Sequence, residues 1–302
     1  MYENILAAAE QAGCAAVQNA ELKKYTAFKI GGPAALLLEP GSSDELEAVL
    51  KACSREKVKP LILGRGSNVL APDEGINNVV IVMGDRFSKI EYCGNNMVKA
   101  QAGASLIRVC RFALEYRLSG LEFAFGIPGS VGGGIYMNAG AYGGEMKDAV
   151  LAVNYMDYEG NRGSWANKEC GFSYRHSNFM EKDLIITSVV YLLDEQDPDV
   201  IKSKMDGLME RRRSKQPLEY PSAGSTFKRP EGYYAGKLIQ DSGLQGKTIG
   251  GAQVSTKHAG FIINVGNATA KDVKDLIAFV QKTVYEKFQV HLEPEVRILA
   301  NQ

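Results

Sequence analysis

Residues 126–145 read Gly126-Ile-Pro-Gly-Ser-Val-Gly-Gly-Gly-Ile-Tyr-Met-Asn-Ala-Gly-Ala-Tyr-Gly-Gly-Glu145, and eight of the chain's 32 glycines lie in them. An ordered glycine costs conformational entropy, so this density has a backbone reason: repeated left-handed turns, or a large ligand lying against the main chain. Pro128 stiffens the entry, and Ser130 is suited to cap a short helix that starts near Val131. A helix N-terminus reached through glycines offers N–H groups to a phosphate, so the segment reads as a pyrophosphate cradle. A purely structural glycine turn is the alternative.

Upstream, Ala34–Glu39 reads as a strand, Ser42 and Glu45 as a capping box, and Leu46, Val49, Leu50 and Cys53 as one helical face closed by Pro60. Leu61–Leu63 follows as a second strand, so the unit is βαβ and the two strands are expected to be parallel. A second glycine loop, Gly64-Arg65-Gly66-Ser67-Asn68, comes next. It is neither a dinucleotide fingerprint nor a P-loop, because the third glycine and the Gly-Lys-Ser/Thr are both missing and Ala71-Pro72 cannot open a long helix. Ser67 and Asn68 can still donate to a phosphate or a ribityl chain, with a plain turn as the other reading.

Downstream, strands are expected at Val79–Met83 and Met97–Ala102, and a helix at Leu106–Tyr116 with Leu106, Val109, Cys110, Ala113 and Leu114 on one face. Val150–Met156 and Leu184–Leu193 are the clearest later strands. Between them Arg175 and His176 sit among aromatics in Cys170–Phe179, where a stacked surface arginine is the ordinary fate. The polar Asp194–Asp199, with Pro198, is taken as the main domain boundary. A helix carrying Ile201, Met205, Leu208 and Met209 then ends in Arg211-Arg212-Arg213, which suits its dipole. Lys215–Pro221 is a stiff connector leading to Ser222–Pro230. A short helix over Tyr234–Asp241 closes at Gly243, and Phe261–Val265 is a strand. Thr269 and Asp272 cap a long helix faced by Val273, Leu276, Ile277, Val280, Val284 and Phe288, and Val296–Leu299 is the last strand.

The 302 residues are 45% hydrophobic and 23% charged, an ordinary globular composition long enough for two or three domains. Lys plus Arg and Asp plus Glu both number 35, so no net charge steers the chain toward nucleic acid or an anionic membrane. The N-terminal Ala-rich stretch carries Glu10 and Gln11 and reads as an amphipathic helix, not a signal peptide, and no apolar run approaches a membrane span. The five scattered cysteines form no Cys-x-x-Cys pair and the three histidines have no metal spacing. That pattern points to reduced thiols, a cytoplasmic protein and no metal; any redox chemistry must come from an organic cofactor.

Taken together, Thr26–Gly32, Gly64–Asn68, Gly126–Glu145, Cys170–Phe179, Ala223–Pro230, His258–Asn264 and Glu293–Val296 resemble, in order, the motifs of the UDP-N-acetylenolpyruvoylglucosamine reductase family. The resemblance covers nearly the whole chain. It implies an α+β protein: a two-lobed FAD-binding domain of the vanillyl-alcohol-oxidase type over residues 1–195, with lobes of about 1–78 and 79–195, and a substrate-binding α+β domain over residues 200–302. It implies non-covalent FAD, NADPH as reductant and an enolpyruvyl ether of UDP-N-acetylglucosamine as substrate, reduced to UDP-N-acetylmuramate for peptidoglycan synthesis and hence for cell shape and division. No protein partner is implied.

By the same resemblance Arg175 would hold the negative charge that develops on the substrate, Ser225 would protonate the α-carbon and Glu295 would help polarise the carboxylate. A serine this poor in acidity needs a cation nearby, and Arg175 or Lys228 are the candidates. On the residues alone the alternatives stay open: Ser225 as a turn hydroxyl, Glu295 as a partner of Arg297, Arg175 as a surface stack. FAD contacts are expected from Gly64, Arg65, Gly66, Ser67, Asn68, Gly126, Pro128, Gly129, Ser130, Gly132, Gly133, Asn138, Gly140 and Ala141, and substrate contacts from Tyr142, Lys215, Lys237 and Asn264. Arg229 departs from the family's frequent Asn, and the short Ser225–His258 spacing resembles the form that lacks an extra tyrosine-bearing loop. The nearest rival is another FAD-dependent oxidase or dehydrogenase on the same scaffold, for which His176 is the one tempting flavin tether. A non-catalytic nucleotide-sugar binder is the rival of a different class.

Overall fold

A computed structural model describes residues 2–300. The chain divides into two compact units: the first takes the chain up to Gln18 with Ala35–Arg65 and Asn78–Arg211, the second takes Asn19–Ala34, Gly66–Asn77 and the chain from Arg212 onward. The division therefore differs from a single cut near residue 195, because two early segments belong with the C-terminal half. The polar Asp194–Asp199 is also not a linker. Asp194–Glu195 pairs with Leu118–Ser119, and Pro198 is the first residue of a helix, where its missing N–H leaves no bond unmade.

In the first unit the helices are α1 (Glu3–Gln11), α2 (Ser43–Arg55), α3 (Leu106–Glu115) and α4 (Val131–Tyr136). The first sheet runs Ala15–Glu21, Pro33–Glu39, Ile76–Val82, Leu61–Leu63 in spatial order. Leu61–Leu63 is parallel to Ile76–Val82, with Leu61 opposite Val80. The expected βαβ strands thus share a sheet but do not touch, since Ile76–Val82 lies between them. Its residues 79–82 are all buried, which fits a central strand better than an edge. The second sheet is antiparallel, in the order Arg162–Ala166, Val150–Asp157, Leu184–Leu192, Met97–Gln101, Ile90–Tyr92.

Capping and amphipathicity explain the helices. Ser42 Oγ accepts from the Glu45 amide at 3.1 Å, while the Glu45 carboxylate reaches back one residue further than a capping box requires, to the Gly41 amide at 2.7 Å. The buried face of α2 is Leu46, Val49, Leu50 and Cys53, and that of α3 is Leu106, Val109, Cys110 and Ala113, as the periodicity predicts. These faces join Val79, Ile81, Val98, Val189 and Tyr191 in one core. Cutting a fully buried member such as Leu50 to alanine costs about 2–5 kcal/mol.

Helix α5 (Pro198–Lys215) carries Arg212, Arg213 and Lys215 in its last turn. The second unit has an antiparallel sheet in the order Ser222–Ser225, Phe261–Asn264, Ala252–Val254, Thr248–Ile249, with α6 (Ala235–Asp241) and α7 (Ala270–Phe288). The Thr269/Asp272 capping box forms reciprocally, each bond at 3.0 Å. Val273, Leu276, Ile277, Val280 and Val284 of α7 pack with Phe28, Leu238, Val254 and Ile262.

Candidate active site

In the first unit Ser130 caps α4, its Oγ accepting from the Gly133 amide at 3.4 Å. The other leading amides of that helix are not bare: Val131 donates to the Ala104 carbonyl and Gly132 to the Ala102 carbonyl, both at 2.8 Å. This corrects the expectation of a phosphate on the helix N-terminus. Gly132 is instead there for packing, because a Cβ would lie 3.0 Å from Ala102 Cβ. The open donors sit in the loops. Among the described residues the amides of Gly126, Gly129 and Ser130 donate no hydrogen bond, and neither do the five consecutive amides of Gly64–Asn68. Gly64 is held against Ser130, its Cβ position only 2.4 Å from Ser130 Oγ, so the two glycine loops meet. Successive unpaired N–H groups form a concave anion site. Arg65 borders it, paired with Asp85.

Beyond α4 the chain makes a hairpin with Gly140–Ala141 against Gly144–Glu145. Its two turn residues, Tyr142 and Gly143, have φ of 55° and 91°, the type I′ signature, so Tyr142 stands exposed at the tip. The Arg211 guanidinium lies over its ring, 4.9 Å from the centroid. A second tight turn carries Arg175: Ser173 and His176 exchange backbone hydrogen bonds at 3.1 and 3.2 Å across Tyr174-Arg175. Arg175 has φ 54°, a conformation usually left to Gly or Asn at this place in a turn. Such strain concentrates at functional positions. Arg175 Nη2 donates to the Gly140 carbonyl at 3.2 Å, and its guanidinium lies 5.1 Å from the Tyr174 ring centroid. The tether candidate His176 is engaged with Glu181 at 3.0 Å.

Asn138 is fully buried, and its side chain is committed to its protein partners Ser173, Glu145 and Lys147. Glu145, which no sequence signal singles out beyond its place at the end of the glycine stretch, accepts from Asn138 and pairs with Lys147 at 2.9 Å. Hydrogen bonding from Lys147, then from Asn138, with the nearby charge of Arg175, holds its carboxyl below the usual range.

In the second unit, the segments that carry Ser225 and Glu295, seventy positions apart in sequence, are paired. Phe227 faces Pro294 across an antiparallel bridge, the Lys228 amide donates to the Glu293 carbonyl at 2.8 Å and the Glu295 amide to the Thr226 carbonyl at 2.8 Å. Asn68 Nδ2 reaches the Glu295 carbonyl at 3.2 Å, and Arg297–Ile298 runs parallel to Val69–Leu70. The expected cofactor loop and the expected catalytic pair therefore share one backbone framework. Gly66 makes this possible: its φ is 59° and a Cβ would sit 2.2 Å from the Tyr25 carbonyl. The Ser225 hydroxyl is half-buried and makes no hydrogen bond among the described residues. Lys228 is paired with Glu293.

The expected substrate contacts divide. Asn264 is buried, donating to the Phe28 carbonyl at 3.1 Å and accepting from Gly266 at 3.0 Å and Ala268 at 3.1 Å, so it locks a turn. Lys237 pairs with Asp241 one turn along the exposed face of α6. Lys215 is exposed at the end of α5. Arg229 donates to the Tyr233 carbonyl at 3.3 Å and stacks 4.0 Å over Tyr234. His258 accepts from the Gly260 amide at 3.1 Å, and burial, with some repulsion from Lys215, lowers its pKa from the ordinary 6.5. Among the described residues no cluster of His, Cys, Asp and Glu suits a metal, and no helix is long and apolar enough to cross a membrane.

Paired sheets that carry glycine loops rich in open amides define a flavin-binding protein of the vanillyl-alcohol-oxidase type. Residues 34–162 match the family described as FAD binding domain. The glucooligosaccharide oxidase of Acremonium strictum, at 13% identity and a TM-score of 0.51 over 93% of this chain and 58% of its own, shares the fold. Residues 216–299 match the C-terminal domain of UDP-N-acetylenolpyruvoylglucosamine reductase. The enzymes of that name from Caldanaerobacter subterraneus and Listeria monocytogenes are each 50% identical, over 94% and 93% of this chain and 93% and 94% of their own. The solved reductase of Thermus caldophilus superposes with a TM-score of 0.81 at 35% identity, covering 95% of this chain and 99% of its own. The chain belongs to the UDP-N-acetylenolpyruvoylglucosamine reductase family.

Proposed function

We propose that the protein reduces the enolpyruvyl ether of UDP-N-acetylglucosamine enolpyruvate to UDP-N-acetylmuramate in the cytoplasm, with NADPH as reductant. FAD, when bound, would supply the hydride, drawn from NADPH, for the vinyl carbon remote from the substrate carboxylate. The open amides of Gly64–Asn68 and of Gly126, Gly129 and Ser130 suit its pyrophosphate, and the Ser67 hydroxyl its ribityl chain. Hydride addition leaves an enolate-like carboxylate. Arg175 stabilises that charge, as a fixed guanidinium does in a site shielded from water. Glu295 helps polarise the same carboxylate, and Ser225 delivers a proton to the α-carbon.

The observation that supports this reading is the strand pairing between the segments that carry Ser225 and Glu295, with Asn68 bonded to the Glu295 carbonyl. Tyr142 and Lys215, both exposed, are the remaining candidates for grip on the sugar nucleotide. The test is product analysis after incubation with NADPH and the enolpyruvyl substrate. A nucleotide sugar heavier by two hydrogens supports the assignment; NADPH oxidation with the substrate recovered unchanged refutes it and favours another acceptor.

A further inference from the structure

Arg175 supplies the positive charge in the chemistry above, and a buried amide outside that chemistry grips its surroundings from two sides. Asn138 is fully buried with φ 41°. Its Nδ2 donates to the Ser173 carbonyl at 2.9 Å and to Glu145 Oε2 at 2.9 Å, and its Oδ1 accepts from the Lys147 amide at 3.0 Å. Ser173 opens the two-residue turn that carries Arg175. Glu145 is the hairpin partner of Gly140, and the Gly140 carbonyl accepts from Arg175 Nη2 at 3.2 Å. These contacts close a ring: Asn138 to the turn, the turn to the guanidinium, the guanidinium to the Gly140 carbonyl, the hairpin to Glu145, and Glu145 back to Asn138.

We propose that Asn138 is a positioning residue for Arg175, acting with Glu145 to fix the turn that carries the guanidinium relative to the carbonyl that aims it. The residue type fits the task. Asparagine tolerates a left-handed backbone better than other side chains with a Cβ, and only an amide offers two donors and an acceptor at one buried point. Aspartate there would place a carboxylate against Glu145 and the Ser173 carbonyl. Without the ring, Arg175 keeps its charge but loses its place, and displacements of about 1 Å at a reacting centre cost on the order of 100-fold in rate.

The inference rests on Arg175 acting on substrate, and a double-mutant cycle separates the two claims. The flavin-loaded protein is reduced by NADPH without air, and reoxidation by the enolpyruvyl substrate is then timed. Arg175→Ala is expected to slow reoxidation; an unchanged rate removes the role of Arg175 and the inference with it. Asn138→Ala is expected to slow reoxidation by about 10- to 100-fold with flavin reduction unchanged. In the Arg175→Ala background the same replacement should add less than about twofold. Equal factors in both backgrounds, or equal loss in both half-reactions, would overturn the proposal while leaving the role of Arg175 intact. Glu145→Met, which keeps the approximate size and the backbone hairpin pairing but removes the acceptor for Asn138, runs through the same cycle with the same expectation and decides the matter where Asn138→Ala yields no flavin-loaded protein.

Discussion

Replacing Ser225 by alanine removes one hydroxyl and, on this structure, little else. The hydroxyl is half-buried and makes no hydrogen bond among the described residues, so its loss strands no partner and opens no cavity of consequence. The fold should therefore change in stability by no more than about 0.5 kcal/mol. A positioned general acid, in contrast, contributes about 10²–10⁴ in rate, or roughly 3–5 kcal/mol of barrier. Anaerobic stopped-flow absorbance separates the two half-reactions. Reduction by NADPH should proceed nearly as before, while reoxidation by substrate slows by about 10² or more. Ser225→Cys should recover part of the loss, since a thiol also carries a proton at that point. Equal slowing of both half-reactions, or alanine and cysteine behaving alike, would take Ser225 out of the proton-donor role.

Gly66→Ala should abolish FAD retention, measured as the flavin-to-protein absorbance ratio, because a Cβ would meet the Tyr25 carbonyl at 2.2 Å and the φ of 59° already disfavours it. Asn264→Ala should lower unfolding stability by about 2–4 kcal/mol in denaturant titration, since it leaves the Gly266 and Ala268 amides without their acceptor. Glu295→Gln should slow reoxidation by about tenfold or more while leaving in place the backbone bond from residue 295 to the Thr226 carbonyl. The lowered pKa of His258 makes the native state bind fewer protons than the unfolded chain below pH 6.5. Its stabilising contribution is thus fully present above the unfolded value and is lost as pH falls through the folded one. Denaturation midpoints between pH 5 and 8 should show this slope, and His258→Gln should flatten it.

Local features were legible because local physics decides them. Ser42, Ser130 and Thr269 announce their helices by capping chemistry, and α3 and α7 by periodicity. The glycine loops, too, stand where their composition places them. What sequence could not convey is the use that distant chain makes of a polar group. The α4 amides look free until the Ala102 and Ala104 carbonyls arrive from a different strand end. Asn138 and Asn264 read as ligand contacts because an Asn beside a glycine motif or in a buried strand suits that role equally well. What the sequence does not show is that both side chains also bond to protein partners brought in from elsewhere in the chain. Strand order escaped for the same reason: nothing in Ile76–Val82 says that it inserts between two strands already joined by α2. The Ala15–Glu21 strand, with Gln18, Asn19 and Glu21, has too little apolar alternation to be seen at all.

The visible spectrum of the purified protein tests the central claim most directly, first alone, then with NADPH in the absence of air, then with UDP-N-acetylglucosamine enolpyruvate. The account predicts a yellow protein that bleaches with NADPH and regains its colour with that substrate. A protein that bleaches and stays reduced, or that shows no flavin even after FAD is added, would contradict it.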